Sequence, residues 1–274
     1  MKVSIILPTF NGGNYISKAI NSVLAQSFTD YELIAIDDGS NDDTPQIVKE
    51  FATNDHRIRY VRQNCNRGFQ KTLNNGLQLA KGDYIARIDD DDIWIDKDKL
   101  KQQVSYLDSH PGHVLVGTGY IFVDDTGKEI HRYQPSETDL QIRNNILWVN
   151  GFLHSAVMYR RDLAIQVGGY NYPKIHSDDY DLWLKLGIIG KFANLRMLAV
   201  AYNTRAGNIS SKNKLSQLIN SIDIITNYKY SYNHYYYAMF YRCIEFVMYG
   251  IIGISPYSKF KIKLIGKMRK LFSN

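Results

Sequence analysis

The chain has 274 residues, more than the roughly 100–200 of a typical single domain, so we expect one large α/β unit or a domain with an appendage. Apolar residues make up 45% and charged residues 22%, as in globular proteins, which excludes wholesale disorder and a collagen-like or disulfide-based scaffold. Residues 256–274 contain six basic and no acidic side chains and so carry the whole net charge of +6, which argues against a nucleic-acid-binding body.

Cysteine usage and hydropathy predict an intracellular location. The two cysteines, Cys65 and Cys243, are far apart and lack metal-ligand spacing, which is typical of a reducing compartment. The N-terminal apolar run is too short for a signal peptide, and no uncharged run reaches the ~18 residues of a membrane span. We therefore expect a cytoplasmic protein with a soluble body.

The first hundred residues alternate strand and helix patterns. Apolar runs predict buried strands at Val3–Leu7, Tyr31–Ile36, Arg57–Val61 and Asp83–Ile88. Apolar spacings of three and four between them predict helices, the first capped by Asn14, the second by Thr44 with Pro45 in its first turn, and the third ended by Gly82. Strands separated by helices imply a mostly parallel sheet with right-handed crossovers.

The second half has a different pattern. The turn Asp125-Thr126-Gly127 predicts a hairpin between Val114–Val123 and Glu129–Tyr133, and the chain from about Leu215 onward is helical and rich in tyrosine. The remaining predicted elements are helices around Thr138–Leu147, Asp162–Val167 and Asp178–Ile189 and a strand around Ser155–Tyr159.

Polar clusters follow three of the predicted strands. They are Pro8-Thr9-Phe10-Asn11, Asp37-Asp38-Gly39-Ser40 and the acidic run Asp89–Asp92. In an open parallel α/β sheet, ligands bind outside the carboxyl ends of the strands, so the clusters indicate one site. No Gly-rich phosphate-binding motif follows the first strand, which argues against a dinucleotide-linked oxidoreductase or a P-loop enzyme.

The acidic run Asp89–Asp92 needs positive charge nearby. Two carboxylates ~4 Å apart repel by about 4 kcal/mol at an effective dielectric constant of ~20. Arg87, two residues upstream, supplies one cation, and a divalent metal supplies another. One or two carboxylates with substrate phosphates suit Mg²⁺ or Mn²⁺. The alternative is a solvated turn or a helix cap.

These clusters belong to a longer series of motifs in a fixed order. The series is VSIILPTFN at 3–11, IDDGSNDDT at 36–44, Asn74 within LNNGL, AKGDYIARIDDDDIW at 80–94, GGY at 168–170 and SDDYDLWLKL at 177–186. Over roughly residues 1–210 the chain resembles the family-2 inverting glycosyltransferases with the GT-A fold. The resemblance implies an α/β fold with a mostly parallel Rossmann-like nucleotide-binding sheet and helices on both faces.

The resemblance also implies roles for single residues. Asp38 would hydrogen-bond the uracil of a UDP-sugar donor, Asp89 would lie near the ribose and sugar, and Asp91 would bind a Mn²⁺ or Mg²⁺ that bridges the diphosphate. The donor-binding set is then Pro8, Thr9, Phe10, Asn11, Asp38, Asn74, Arg87, Asp89, Asp90 and Arg205, and the metal set is Asp91 and Asp89.

By the same resemblance, Asp179 would be the general base. Attack on an anomeric carbon needs a base for the acceptor hydroxyl and a charge sink for the departing diphosphate, and a single displacement inverts the centre. The family often has Glu-Asp where this chain has Asp178-Asp179, so Asp178 stays a second candidate. It often has a His where this chain has Arg205, whose guanidinium can clamp phosphate oxygens. Helix capping is the alternative role for these aspartates.

The resemblance and the tail together predict the domain organisation. Residues 1–110 form the nucleotide-sugar-binding half, residues 111–212 the acceptor-binding half of the same domain, and residues 213–274 a helical extension. On a helical wheel, residues 256–274 have an apolar side and a basic side, as in helices that lie in a membrane interface. Packing of this tail on its own domain is the alternative.

The sequence therefore predicts a metal-dependent inverting glycosyltransferase that transfers a sugar from a nucleotide-diphosphate donor, UDP-linked by resemblance, to a glycan or lipid-linked acceptor. By family analogy the setting is bacterial surface polysaccharide synthesis, at the cytoplasmic face of the inner membrane if the tail binds lipid. A sugar nucleotidyltransferase and a noncatalytic nucleotide- or glycan-binding module are the alternatives. The Gly-rich loop expected of a sugar nucleotidyltransferase is absent after the first strand. The presence of Asp38, Asp91 and Asp179 argues against a noncatalytic module.

Overall fold

A computed structural model describes residues 1–170, 178–204 and 214–250. The strands are β1 (Val3–Thr9), β2 (Tyr31–Asp37), β3 (Ile58–Arg62), β4 (Tyr84–Arg87), β5 (Ile93–Trp94), β6 (His113–Val123), β7 (Glu129–Tyr133), β8 (Met158–Arg160) and β9 (Lys191–Asn203). The helices are α1 (Ile16–Leu24), α2 (Thr44–Asn54), α3 (Phe69–Leu79), α4 (Lys99–Ser109), α5 (Asp139–Asn145), α6 (Arg161–Gln166), α7 (Asp178–Ile189), α8 (Lys214–Asn227) and α9 (Tyr235–Gly250). A 3₁₀ turn, His154–Ala156, precedes β8.

All these strands form one sheet in the order β3-β2-β1-β4-β8-β6-β9-β5, with β7 paired to β6. The first four strands in this order are parallel to one another, and β6 is parallel to β9. Strand β8 runs antiparallel to both of its neighbours, β4 and β6. Strand β8 therefore joins the N-terminal parallel half to the second half of the sheet. The predicted α/β fold and its Rossmann-like first half are confirmed.

Side chains alternate between two cores along β1, as the period of a strand requires. Val3, Ile5 and Leu7 enter a core covered by α1, α2 and α4, whereas Ile6 enters the core on the other face. Helices α3 and α5 to α9 contribute to that second core. The sheet is buried on both faces, which explains why its N-terminal strands read as unbroken apolar runs.

Local predictions differ from the structure at two helix starts. Asn14 does not cap α1, because that helix begins at Ile16 and no side chain caps it. Thr44 is the first residue of α2 and not its cap; its backbone N–H and its hydroxyl both donate to Asp42 Oδ1. An acceptor two residues before the helix therefore takes the place of a cap.

The C-terminal helices α8 and α9 confirm the helical pattern predicted from about Leu215 onward as far as Gly250, where the described residues end. Within 1–170, 178–204 and 214–250, no helix combines the length and the apolarity that a bilayer crossing needs. The basic tail, residues 256–274, lies outside the described residues.

A lysine is completely buried at the start of α4. Lys99 Nζ donates to Gln103 Oε1 at 2.9 Å and lies 4.1 Å from the centroid of the Trp94 ring. Burial lowers the pKa of Lys99 to about 7, from an ordinary value of 10.5. On folding, Lys99 therefore either loses the hydration of its charged ammonium group or releases a proton to become neutral.

We expect Lys99→Met to stabilise the protein, most strongly at low pH. Between about pH 7 and 10.5 the unfolded chain holds the proton and the folded chain releases it, so the cost of burial is largest below pH 7 and disappears as pH rises to 10.5. The shift corresponds to roughly 5 kcal/mol, and an unpartnered Gln103 Oε1 takes back roughly 1–3 kcal/mol. Urea unfolding at about pH 6 and about pH 9.5 measures the difference. A gain that is no larger at the lower pH would contradict this account.

Candidate active site

The carboxyl ends of β1, β2 and β4 meet at one edge of the sheet, because β1 lies between the other two and is parallel to both. Thr9, at the end of β1, donates its hydroxyl to Asp90 Oδ2 at 2.6 Å. The backbone N–H of Asp38 donates to Thr9 O at 2.9 Å. The three polar clusters singled out in the sequence are thus in direct contact.

The segment after β1 has a tightly fixed backbone and one exposed ring. Asn11 adopts a positive φ of 54°, its N–H donates to Ser40 Oγ at 2.9 Å, and its Oδ1 accepts from the N–H of Asn41 at 2.9 Å. Pro8 and Thr9 are buried, whereas the Phe10 side chain is exposed. This arrangement presents an aromatic ring beside the strand ends, on a backbone that the loop after β2 holds in place.

Asp38 anchors the loop that follows β3. Its carboxylate accepts from Gln63 Nε2 at 3.0 Å and from the backbone N–H groups of Arg67 at 2.7 Å and Gly68 at 2.9 Å. Gly39 adopts φ +81°, and a Cβ there would stand 2.9 Å from the carbonyl carbon of Cys65, so glycine is required. A carboxylate offers about four acceptor positions, which leaves Asp38 the capacity for one further donor.

The acidic run after β4 has distinct partners for its members. Asp89 Oδ1 accepts from Arg87 Nη2 at 2.6 Å, and Asp90 accepts from Thr9. Asp92 is fully buried and accepts from Ser155 Oγ and from the backbone N–H of Asn203 at 3.2 Å. Burial, and then the charges of Asp89 and Asp91, raise the pKa of Asp92 well above its ordinary value.

Arg87 is completely buried beneath the acidic run. Besides Asp89 it donates from Nη1 to Ile6 O at 2.6 Å and from Nε to His154 Nε2 at 3.0 Å. Burial, and then the nearby guanidinium, lower the pKa of His154 well below its ordinary value, so the ring is neutral and accepts this bond. Arg87 therefore lies behind Asp89 and out of reach of solvent.

The two candidate bases at the start of α7 have different surroundings. Asp178 is 4% exposed; burial, and then Asp179 and Asp181, raise its pKa to about 7. Its Oδ1 accepts no hydrogen bond from any described residue. Asp179 is half-buried, and burial raises its pKa to about 6, with a further rise from Asp89 and an opposing effect of Arg87. Of the two candidate bases, Asp179 is thus the one whose pKa is changed by the charges of Asp89 and Arg87, at the end of β4.

One residue of the predicted donor set has its side chain bonded to another part of the chain. Asn74, on α3, donates from Nδ2 to Tyr170 O at 2.6 Å and accepts at Oδ1 from the Tyr170 N–H at 3.0 Å. Both ends of its amide are therefore bound to one residue of the chain. Arg205 lies outside the described residues.

The structure also places residues here that sequence reasoning did not select. The hydroxyl of Ser155, in the 3₁₀ turn, donates to Asp92 Oδ2, and its Oγ accepts from the backbone N–H of Asp89 at 3.0 Å. Gln63 supports Asp38. Neither residue lies in a motif. Their contacts with the site depend on the tertiary structure and could not be predicted from the sequence.

A divalent cation would need oxygen donors at this edge. Within the described ranges no group of three His, Cys, Asp or Glu side chains is arranged to enclose one. The acidic run nevertheless places four consecutive carboxyl groups next to one buried guanidinium, that of Arg87. Mg²⁺ and Mn²⁺ sites built on one or two carboxylates and completed by substrate phosphates fit such a donor set. Asp91, with Asp89 beside it, has the required chemistry.

Comparison with known proteins gives a family match. A profile of the family described as "Glycosyl transferase family 2" matches residues 4–168. EpsE of Bacillus subtilis is 34% identical over 187 residues, which are 67% of this chain and 66% of EpsE, slightly under two thirds of its length. WfgD of Escherichia coli, named as a UDP-Glc:alpha-D-GlcNAc-diphosphoundecaprenol beta-1,3-glucosyltransferase, is 30% identical over 230 residues, 82% of this chain and 86% of WfgD.

A solved structure has the same fold. TarS 1-349 of S. aureus, crystallised in complex with UDP-GlcNAc, superposes with a TM-score of 0.69 at 21% sequence identity. The match covers 96% of this chain and 76% of that chain. The fold predicted from the sequence, GT-A, is thereby confirmed.

Proposed function

Since this chain belongs to glycosyl transferase family 2, we propose that it is a metal-dependent inverting enzyme that transfers a sugar from UDP to a hydroxyl of a glycan or lipid-linked acceptor. The observation that carries this proposal is the meeting of Asp38 and the acidic run after β4 at one sheet edge, where both contact Thr9. Asp38 and the run after β4 stand on the donor side, and Asp179 is close enough to Asp89 for the two charges to interact.

The donor-binding part of the proposal rests on Asp38 and the segment after β1. Asp38 has acceptor capacity for the N–H of a uracil ring, and it already holds the loop that follows β3. Pro8, Thr9 and Phe10 would line the nucleoside pocket, with the exposed Phe10 ring available for stacking. The name of WfgD and the ligand of TarS support a UDP-linked sugar. Residues 1–110 would form this half of the site and residues 111–212 the acceptor half.

Asp91, assisted by Asp89, would hold Mg²⁺ or Mn²⁺, a cation that stabilises the charge of the departing diphosphate. Asp90 is oriented by Thr9 and Asp89 by Arg87, so the carboxylates around the diphosphate are already fixed in position. Such preorganised groups need little rearrangement when charge develops in the transition state.

Asp179 would take the proton of the acceptor hydroxyl. With a pKa of about 6 its carboxylate is largely ionised at neutral pH and is more basic than an ordinary aspartate. Attack by the hydroxyl then breaks the bond between the anomeric carbon and the diphosphate in one displacement, and the anomeric configuration inverts.

A screen of UDP-sugars for UDP release tests this function. We expect release that requires Mn²⁺ or Mg²⁺, that occurs with one sugar in preference to others, and that increases when a glycan or lipid-linked glycan acceptor is added. Absence of UDP release from every sugar, with metal and acceptors present, would refute the proposal. The undecaprenol-linked substrate in the name of WfgD supports including lipid-linked acceptors of surface polysaccharide synthesis.

We further propose that the basic tail, residues 256–274, binds the enzyme to an anionic membrane surface at the cytoplasmic face. Each basic residue near anionic lipid contributes about 1 kcal/mol, and the segment contains six. A lipid-linked acceptor would then be concentrated in the same plane as the enzyme.

Removing residues 256–274 should release the protein from anionic vesicles and leave transfer to a soluble acceptor analogue within about twofold, because no proposed site residue is removed. Binding of the intact chain should weaken as salt rises, since screening limits the reach of charges to ~8 Å at physiological ionic strength. Vesicle sedimentation at low and high salt measures both effects. Changing Lys259, Lys263 and Lys267 to glutamine is the control that keeps the apolar side chains. Equal sedimentation of intact and truncated protein would exclude the tail as the membrane contact.

A further inference from the structure

Helix α9 has apolar side chains on its outward face and charged side chains on its inward face. We infer that the outward face of α9 binds a membrane surface and enters the boundary between the headgroups and the acyl chains of an anionic bilayer. The inference extends the membrane contact proposed for residues 256–274 to a described part of the fold, and it concerns a surface that the transfer reaction does not use.

The outward face is a stripe of side chains at helical spacing. The stripe consists of Tyr236, Phe240, Cys243 and Val247. The intervals of four, three and four residues place them on one side of the helix. All of them are exposed, Tyr236 to 84% and Phe240 to 64%. Phe246, which is also exposed, lies beside the stripe.

The charged residues of this helix point towards the protein. Residues 235–247 include two of them, Arg242 and Glu245. Their side chains are only 13% and 11% exposed and form a salt bridge with each other. Ala238 and Tyr241 are buried in the core beneath the helix. A surface helix adapted to water has the opposite arrangement, because removing ions from water and exposing apolar area both cost free energy. The outward face is therefore suited to surroundings less polar than water.

The chemistry of the face fits the interface of a bilayer. Tyr236 and the neighbouring Tyr237 are both exposed. A tyrosine ring can enter the acyl boundary while its hydroxyl stays hydrated, which is why tyrosine is enriched where a membrane meets water. Because none of the described helices can cross a bilayer, the contact is interfacial, with α9 lying in the plane of the membrane.

Charge favours lipid over a second copy of the chain as the occupant of this face. The chain continues beyond α9 to residues 256–274, whose sequence contains six basic and no acidic side chains. A second copy would bring the same net charge of +6 to the contact, and like charges across an interface repel. An anionic lipid surface is attracted by these charges.

The two cysteines of the chain provide a matched pair of probe positions. Cys243 lies in the stripe, whereas Cys65 lies in the loop after β3, at one edge of the sheet, and both are exposed. A fluorophore is attached to Cys243 in the Cys65→Ser variant and to Cys65 in the Cys243→Ser variant. Each protein is mixed at low salt with vesicles of equimolar phosphatidylcholine and phosphatidylglycerol, with or without bromine on the acyl chains. We expect bromine to quench the fluorophore at Cys243 at least about twofold and to leave the fluorophore at Cys65 unchanged.

Unlabelled variants show whether the fluorophore itself causes the binding. We expect Phe240→Ser to weaken sedimentation with the same vesicles at least about fivefold, because a phenyl ring is no longer buried in lipid. Ile130→Ser, in β7, is the control, since Ile130 is also exposed, to 59%. This variant should bind within about twofold of the wild type. Thermal unfolding should be alike in all these proteins, because the substituted side chains are exposed.

Four results would overturn the inference: no binding to these vesicles, equal quenching at the two cysteines, binding without quenching at Cys243, or equal weakening by Phe240→Ser and Ile130→Ser. Energy transfer between fluorophores on Cys243 of two molecules in the absence of lipid, together with a dimer in sedimentation equilibrium, would also overturn it, because a second copy would then cover the face. Neither measurement uses turnover. A chain that releases no UDP would therefore refute the proposed reaction and not this inference, and failure of the α9 contact would leave the proposed reaction standing.

Discussion

Replacing Asp179 with asparagine should lower sugar transfer at least ~100-fold while UDP binding stays unchanged, because general bases typically contribute 10²- to 10⁴-fold. Asparagine keeps the size of the side chain and removes its ability to accept a proton from the acceptor hydroxyl. Asp179 is half-buried, and the charges of Asp89 and Arg87 act on its pKa, in agreement with its proposed role as the base. Initial rates with saturating donor, together with calorimetry of UDP binding, measure the two effects separately.

Asp178→Asn is the matched control for this experiment, since it makes the same substitution one residue earlier. Asp178 is nearly fully buried and its pKa is about 7, so an uncharged amide should replace it with only a small effect on transfer. If Asp178→Asn abolishes transfer and Asp179→Asn does not, the base has been assigned to the wrong residue of the pair.

Activity should also disappear in Asp91→Ala and in excess EDTA. In the proposed reaction the donor diphosphate carries two negative charges and gains a third when its bond to the sugar breaks. Without a cation, the repulsion between unit charges ~4 Å apart is about 4 kcal/mol per pair at an effective dielectric constant of ~20. A loss of one such interaction corresponds to roughly a thousandfold in rate. UDP release measured against Mn²⁺ concentration should show a half-saturating concentration at least tenfold higher in the variant, or no activity at all.

Asp162→Ala controls for the loss of one negative charge, because the side chain of Asp162 is 82% exposed and pairs with Arg161 in a surface salt bridge. This variant should retain wild-type metal dependence. Full turnover of the wild type in excess EDTA would exclude the metal assignment for Asp91 and Asp89 together.

The N-terminal half of the fold was predictable because its strands are buried on both faces and therefore read as unbroken apolar runs. Strand β9 was not predicted at all: its burial changes along its length and its sequence offers neither a continuous run nor a clean alternation. The insertion of β8 between β4 and β6 is also invisible locally, because it is decided by packing between segments that lie more than 40 residues apart in the chain.

The sequence located the acidic residues of the site but not the direction in which their neighbours point. Asn74 lies in a motif that suggests donor binding, yet its amide is bound to Tyr170, which is 96 residues away. Arg87 was predicted to neutralise the acidic run, and the structure places it beside Asp89 as expected, though from the buried side. Motifs indicate which residue types gather at a site, whereas burial and partners depend on the tertiary structure.

The place of β8 in the sheet has a consequence for the order of folding. Asp92 and Arg87 find Ser155 and His154 only when a segment 63 to 67 residues further along the chain inserts beside β4. Contacts across such separations form late, because the loop must be closed before any bond in it contributes. During synthesis, β1 to β4 can pair as soon as they emerge. At that stage the acidic run and Arg87 still lack their buried partners, Ser155 and His154. The nascent chain therefore pairs its first four strands before the acidic run acquires Ser155 and His154, and the edge of the sheet that carries this run is completed last.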